Sequence, residues 1–168
     1  APLAGRSRRA VARLAVRLVP PEVGDDGSSE LPARLGAVDA PWRLTFHLQS
    51  TVDAVHRVSA EQVWTAPGGS LDLGERRLDD PQAVLVRGLA AAAKLFPPLD
   101  RAMSLSRPTE VSLSAVEVAD LLATGVDALT AGGIAVELPP ELREASDRKL
   151  RLRVRIGASS AAAPRVDD

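Results

Sequence analysis

Apolar and polar residues alternate along three stretches of this 168-residue chain, at positions 11–18, 42–49 and 149–156. Successive side chains of a β-strand point to opposite faces of its sheet, so a period of two predicts half-buried strands. The apolar residues of each stretch form the side that faces the core. The outward side carries most of the nearby cations and one histidine, namely Arg13, Arg17, Arg43, His47, Lys149, Arg151, Arg153 and Arg155.

Helical spacing appears in the middle of the chain. Asp80 followed by Pro81 indicates an N-cap and a first helical position, where the missing proline N–H costs nothing. Leu85, Leu89 and the apolar residues after them then recur at helical spacing, and Gly88 on nearly the same face predicts the close approach of another backbone. Pro97-Pro98 interrupts this helix, and we expect a second short helix at about 98–103.

A further helix follows a short extended piece at 110–113. Ser114 and Glu117 have the spacing of a capping box, in which each side chain satisfies a free backbone N–H of the first turn. An apolar stripe follows, and Gly132-Gly133 predicts the end of the helix, because glycine accepts a left-handed backbone. The stripe consists of Val118, Leu121, Leu122, Gly125 and Leu129.

The remaining segments complete a β–β–α–α–β–α–β–β order, with a helical turn at 59–62 capped by Ser59 and a strand at 134–138. Residues 22–40 and 66–79 are predicted to be loops. This order has no regular βαβ rhythm, so we predict an α+β fold with a mainly antiparallel sheet and two or three helices packed on one face. The predicted organisation is a flexible segment at 1–9, one domain at 10–157 and a disordered tail at 158–168.

Composition excludes several classes of function. The net charge is −1, which is not that of a wholly basic nucleic-acid binder. The chain has no cysteine, so disulfides, thiolate nucleophiles and cysteine metal sites are impossible, and this weakly favours a cytoplasmic location. No apolar run approaches the roughly 18 residues of a membrane span, so no membrane partner is expected.

Candidate chemistry is sparse. His47 is on the polar side of a strand and His56 follows Asp53 in a loop, and both are expected to be surface histidines without a nucleophile or further metal ligands. Neither Gly68-Gly69 nor Gly132-Gly133 belongs to a phosphate-binding loop with its lysine. We therefore predict no catalytic residue, no metal, no cofactor and no small-molecule ligand.

The outward cations allow a sharper hypothesis. If the strand at 149–156 lies beside the strands at 11–18 and 42–49, their arginines share one surface that could follow a phosphate backbone. No aromatic residue lies among these cations, so base stacking is not supported. One alternative is a solvated strand face whose cations pair with acidic loops or with a neighbouring domain. Another is that the charges prevent aggregation through an exposed strand edge.

Several motifs arrive in one order along the chain. They are Pro-Trp-Arg-Leu-Thr-Phe-His-Leu-Gln-Ser at 41–50, Val63-Trp64, the segment 89–99, Leu113 with Glu117, and Gly-Ile-Ala-Val-Glu-Leu-Pro at 133–139. With these motifs the chain resembles the helicase-associated region that precedes the motor in bacterial Swi/Snf-type helicases of the RapA-like group. The resemblance extends over about residues 10–157.

The resemblance implies a non-catalytic accessory domain of a larger nucleic-acid-dependent ATPase. The helicase motor of the same polypeptide would be its partner, with DNA or RNA as a further possible partner. It implies no catalytic residues in this chain, because the nucleotide-binding motifs of the family lie in the motor. Two other hypotheses stay open, a nucleic-acid-binding module that uses the basic strand face and a small stand-alone enzyme.

Overall fold

A computed structural model describes residues 11–21, 41–144 and 147–148 of the chain. The chain divides into two compact units, Ala1–Glu137 and Leu138–Asp168. The predicted boundaries at residues 9 and 157 fall outside the described ranges and stay predictions. The strand at 149–156, with Lys149, Arg151, Arg153 and Arg155, also lies outside them.

The first unit contains seven described strands, five of them in one sheet and two in a separate hairpin. They are β1 (Ala12–Val19), β2 (Trp42–Ser50), β3 (Arg57–Ser59), β4 (Ser70–Leu73), β5 (Arg76–Asp79), β6 (Glu110–Leu113) and β7 (Ala135–Glu137).

The helices of this unit lie between the shorter strands along the chain, singly or in pairs. They are α1 (Ala60–Thr65), α2 (Pro81–Leu95), α3 (Asp100–Met103), α4 (Ala115–Asp120) and α5 (Val126–Ala131). Single 3₁₀ turns occupy Pro67–Gly69 and Pro97–Leu99, and a π-helical turn, Leu121–Gly125, joins α4 to α5.

The main sheet has β2 and β1 at its centre as an antiparallel pair. Strand β7 pairs with β1 in parallel. The other edge of β2 is shared, since β3 pairs with its carboxy-terminal half and β6 pairs with its amino-terminal half, both antiparallel. This mostly antiparallel sheet with helices confirms the predicted α+β class.

The core lies on the apolar face of this sheet. Alternate residues of β1 and β2 are buried there, and so are the predicted core positions of α2 and the α4–α5 stripe apart from the half-buried Leu122. Helix α2 packs against β1 at Gly88, where a Cβ atom would lie 2.8 Å from the Cβ of Leu14. The close neighbour of Gly88 is therefore the Leu14 side chain, and the predicted approach of another backbone is not what the structure shows.

Two predicted helix starts are confirmed in full. Ser59 caps α1 and Ser114 caps α4, and each makes a complete capping box, with Gln62 and Glu117 respectively. Asp80 does precede α2 and Pro81 does open it, but the Asp80 side chain makes no capping hydrogen bond. The predicted position of Asp80 as the N-cap residue is confirmed, since its carbonyl accepts from the Val84 N–H, but its backbone is left-handed with φ of 52°.

Residues 66–79 were predicted to be a loop, and this is wrong for most of the segment. They form a 3₁₀ turn and the β4–β5 hairpin, in which Leu73 and Leu78 are buried. Gly74 opens the hairpin turn with φ of 68°, a conformation that favours glycine. The four-residue strands are too short to show an alternation that can be told apart from a loop.

The second unit is described at 138–144 and 147–148. Residues 140–144 and 147–148 are helical. The N–H groups of Leu142 and Arg143 both donate to the carbonyl of Pro139, and Leu142 is buried.

Candidate functional site

The outward face of the main sheet collects the predicted cations of β1 and β2. In the β1–β2 register, Arg13 lies opposite Gln49, Arg17 opposite Thr45, and Ala15 opposite His47. Arg43 occupies the same side two residues before Thr45. Arg13, Arg17, Arg43 and His47 therefore share one side of the β1–β2 pair, which we call the outer sheet face, while the predicted contribution of the strand at 149–156 to this surface stays a prediction.

Carboxylates from neighbouring strands pair with these cations. The Arg17 Nε atom lies 4.0 Å from the Glu137 carboxylate of β7, and Arg43 lies 3.6 Å from Glu110 of β6. Arg57 of β3 donates a hydrogen bond to the same Glu137. The arginine side chains are 40–56% exposed, so these are ion pairs at the surface rather than buried ones.

Glu137 is the residue on which two of these arginines converge. Burial alone would raise the pKa of Glu137, but the hydrogen bond from Arg57 and the charges of Arg57 and Arg17 outweigh it and lower that pKa. Glu137 is therefore a stable anion on the β7 edge of the outer sheet face. Phosphate groups would be repelled by it, or would have to displace it from Arg17 and Arg57.

His47 is half-buried between these charges. A hydrogen bond of 3.0 Å joins its Nε2 atom to the Thr45 hydroxyl. Burial lowers the pKa of His47, and the positive charges of Arg57 and Arg17 lower it further against the opposing effect of Glu137. The imidazole is thus held neutral near pH 7 and adds no positive charge to the face.

Ser59 is the residue directly opposite His47 on β3, and it is the hydroxyl that a nucleophilic mechanism would require. Its hydroxyl instead accepts from the Gln62 N–H and contacts the Gln62 side chain in the capping box of α1. The Ser59 hydroxyl is therefore engaged in a helix cap, and no hydrogen bond links it to the His47 ring.

His56 belongs to a second cluster, in the loop between β2 and β3. Its Nε2 atom lies 3.6 Å from the Asp53 carboxylate. The His56 ring rests on Gly74 of the β4–β5 turn, where a Cβ atom would lie 2.6 Å from the ring. A shallow groove of about 310 Å³ lies between this loop and the turn, lined also by Ser50, Leu73, Glu75 and Arg76.

Three residues of the outer sheet face were missed by the sequence analysis: Arg57, Glu110 and Glu137. Strand β3 is only three residues long, so Arg57 gave no periodic signal. Glu110 and Glu137 were within predicted extended segments, but their partners depend on strand order. Only the pairing of β6 with β2 and of β7 with β1 brings these carboxylates to the arginines.

Neither a metal cluster nor a membrane span is found in residues 11–21, 41–144 and 147–148. No three histidine, aspartate or glutamate side chains there are grouped so that they could hold a metal ion. Across the same ranges, no helix combines the length and the apolar character that crossing a bilayer requires.

Residues 106–167 match a family model described as SNF2 Helicase protein. No curated protein and no solved structure matches the chain. The matched residues include β6, α4, α5 and β7, and the motifs at 41–50 and 89–99 precede them. Over residues 106–167, the chain therefore resembles SNF2 helicase proteins, in agreement with the Swi/Snf helicase-associated region indicated by its motifs.

Proposed function

We propose that this chain is a non-catalytic accessory domain of a larger Swi/Snf-type ATPase and that it docks on the helicase motor or on a protein partner. The observation that carries the proposal is the match of residues 106–167 to SNF2 helicase proteins. The parent protein would be an ATP-dependent helicase or translocase. A cytoplasmic location in a bacterium belongs to the same proposal, because such a parent acts on nucleic acid.

The chemistry of the described residues supports a role without catalysis. His47 is hydrogen-bonded to Thr45, and His56 is paired with Asp53 in an exposed loop. General acid–base or nucleophilic catalysis requires a second reactive group within about 3 Å of the base. Two hydroxyls lie near His47. That of Thr45, 3.0 Å from the His47 Nε2 atom, also donates to the Arg17 carbonyl, and that of Ser59, opposite His47 on β3, is engaged in a helix cap.

A protein-docking role is favoured over nucleic-acid binding by the charges on the outer sheet face. Arg17, Arg43 and Arg57 are each paired with a carboxylate. A nucleic-acid backbone gains affinity when unpaired cations replace its counterions, and paired arginines contribute less to this exchange. The alternative, a nucleic-acid-binding module, rests on Arg13, Arg17 and Arg43 together with Lys149, Arg151, Arg153 and Arg155.

Deletion of the domain from its parent protein tests the accessory role. We expect the parent without these 168 residues to retain ATP hydrolysis, because the chain carries none of the nucleotide-binding motifs. We also expect its DNA-stimulated ATPase rate to change, since a docked accessory domain influences the motor. ATP hydrolysis by the purified chain alone, abolished by His47→Ala, would overturn the proposal.

Binding of a labelled DNA duplex and of single-stranded RNA to the chain tests the alternative. Fluorescence anisotropy at about 50 mM and about 200 mM salt gives the salt slope, which is steep for a phosphate-binding surface. A steep slope lost in the triple variant Arg151→Glu, Arg153→Glu, Arg155→Glu, but kept in Arg87→Glu of helix α2, would establish the nucleic-acid module. We expect the triple variant and Arg87→Glu to show the same nucleic-acid binding and the same salt slope.

A further inference from the structure

The ion pair between Arg57 and Glu137 crosses the outer sheet face diagonally. Arg57 lies opposite Gln49, in the row of the sheet that also contains Arg13 of β1. Glu137 lies opposite Arg17, four residues farther along β1. In a flat sheet, three strand spacings of about 4.8 Å and four residues of about 3.4 Å would place the two Cα atoms about 20 Å apart, beyond the reach of both side chains. The twist of the strands therefore brings these two corners together over a concave face.

The middle row of the sheet forms the floor of this concavity. It includes His47 of β2 and Ala15 of β1, which are register partners. The diagonal from Arg57 to Glu137 crosses the row between these two residues. Ala15 is only 7% exposed although it lies on the outer side of β1, as expected if the ion pair covers it. We call the Arg57–Glu137 ion pair the strap.

The hydrogen bonds of His47 identify the ring nitrogen that can take up a proton. The Thr45 hydroxyl donates to the Arg17 carbonyl at 3.3 Å and lies 3.0 Å from the His47 Nε2 atom. A hydroxyl has one proton to donate, so the neutral imidazole carries its own hydrogen on Nε2. The Nδ1 atom is then the basic position of the ring.

The charges around His47 come from the strands of the sheet, since the helices pack on its apolar side. Burial, then Arg57, then Arg17 lower the pKa of His47, and the smaller effect of Glu137 raises it. Opening the strap would remove both the burial and the nearby Arg57 guanidinium, so a protonated His47 favours the open strap. The charged residues of the face are Arg13, Arg17, Arg43, Arg57, Glu110 and Glu137.

We propose that the strap opens when the Nδ1 atom of His47 takes up a proton. A protonated imidazole beneath the strap repels the Arg57 guanidinium and competes with it for the Glu137 carboxylate. Opening frees Arg57, uncovers Ala15 and removes a side-chain attachment of β7. This device goes beyond the proposed accessory function and does not depend on it.

Alkylation of a cysteine at position 15 tests whether the strap covers the floor. The chain has no cysteine of its own, so Ala15→Cys provides a single thiol. At neutral pH, adding Arg57→Gln should raise the rate of reaction with a neutral maleimide by about threefold or more, because the thiol becomes accessible. Arg43→Gln is the matched control and should leave the rate unchanged, since Arg43 pairs with Glu110 elsewhere on the same face.

Hydrogen exchange of the full chain at about pH 7.5 and about pH 5.5 tests the role of His47. The protection factors of the Ala135–Glu137 amides should fall by about threefold or more on acidification, relative to those of β1 and β2. The fall should be absent in His47→Gln and kept in His56→Gln, the matched control. In Arg57→Gln, these amides should have the lower protection at both pH values.

Three results would overturn the proposal. The first is an alkylation rate that Arg57→Gln leaves unchanged, which would show that the strap does not cover Ala15. The second is a loss of β7 protection that persists in His47→Gln. The third is an equal loss for the amides of β1, β2 and β7, which would indicate global destabilisation instead of local opening.

Discussion

Arg57 in β3 donates a hydrogen bond to the carboxylate of Glu137 in β7, with β2 and β1 lying between the two strands. The long arginine side chain therefore crosses the outer sheet face and joins its two edges. Glu137 also pairs with Arg17 in the neighbouring strand. A three-residue parallel strand at the end of the first unit is thus attached by side chains as well as by its backbone pairing.

Glu137→Gln is expected to reduce stability modestly at neutral pH. The ion pairs are more than a third exposed, so solvent screening limits the expected loss in the free energy of unfolding to about 0.5–1 kcal/mol. Urea unfolding at low and high salt checks this, because the loss should shrink as salt rises. Glu110→Gln is the matched control and should cost less, since Glu110 pairs with Arg43 at 3.6 Å whereas Glu137 pairs with both Arg17 and Arg57.

The lowered pKa of Glu137 gives the sign of its pH dependence. A carboxylate whose pKa is lower in the folded state stabilises the fold above its unfolded pKa, about 4.3, and this contribution is lost as the pH falls through the lowered value. The difference between wild type and Glu137→Gln should therefore vanish in strongly acidic solution. A difference that grew on acidification would contradict this assignment.

Glu117→Ala should be more destabilising than a surface ion pair suggests. The Glu117 carboxylate accepts two hydrogen bonds from Arg101, at 2.9 and 2.6 Å, and also completes the capping box of α4 with Ser114. The hydrogen bond from Arg101 is the main cause of the lowered pKa of Glu117. We expect a loss of about 1–2 kcal/mol, measured by urea unfolding.

Ser114→Ala and Arg101→Ala separate the two roles of Glu117. The first removes the cap, at about 1 kcal/mol. The second removes the exposed cation, at about 0.5–1 kcal/mol for the ion pair, and also the hydrogen bond that Arg101 donates to the Ser112 carbonyl. If Glu117→Ala costs no more than Ser114→Ala, the ion pair with Arg101 contributes nothing.

Gly88→Ala should destabilise the protein even though alanine is the better helix former. Alanine would gain about 1 kcal/mol in helix propensity. However, the new Cβ would lie 2.8 Å from the Leu14 Cβ, and that atom cannot move without moving the β1 backbone. Such overpacking typically costs 1–3 kcal/mol, so we expect a net loss of up to about 2 kcal/mol.

Thermal unfolding of Gly88→Ala, compared with Ala91→Gly on the exposed side of α2, measures this effect. Ala91→Gly reports helix propensity alone and should cost about 1 kcal/mol. A Gly88→Ala variant more stable than the wild type would show that α2 does not pack closely on β1 at this position.

His47→Gln should make folding less sensitive to mild acid. The pKa of His47 is lowered in the fold by burial and by Arg57 and Arg17, so the unfolded chain takes up a proton first as the pH falls below about 6.5. Wild-type stability should therefore decrease between about pH 7 and pH 5 more than that of His47→Gln. Urea unfolding at both pH values measures the difference.

His56→Gln is the comparison for this prediction. It keeps His47 and should keep the acid-induced loss that His47 causes. Equal pH dependence of the wild type and His47→Gln would show that His47 protonates equally well in the folded and unfolded states.

Most elements of the fold could be predicted from local patterns, and the particular failures have physical reasons. Strand β2 and helices α2 and α4 each have an apolar periodicity or a capping pair within their own residues. Strands β3, β4 and β5 have three or four residues each, which is too short for a period to be recognised. The π-helical turn at Leu121–Gly125 leaves no sequence signal that these rules can detect, although Gly125 packs against Phe96 there.

The resemblance to Swi/Snf proteins and the alternation of arginines in β1 and β2 came from the sequence by itself, because residue order and period are local properties. The pairing of these arginines with particular carboxylates was decided only by the tertiary structure. Strand order brings Glu137 to Arg17 and Arg57, and Glu110 to Arg43. These contacts join residues up to 120 positions apart along the chain. Since such pairing depends on the register of non-adjacent strands, no local pattern could show that Arg17 and Arg43 of an apparently basic face are paired with carboxylates.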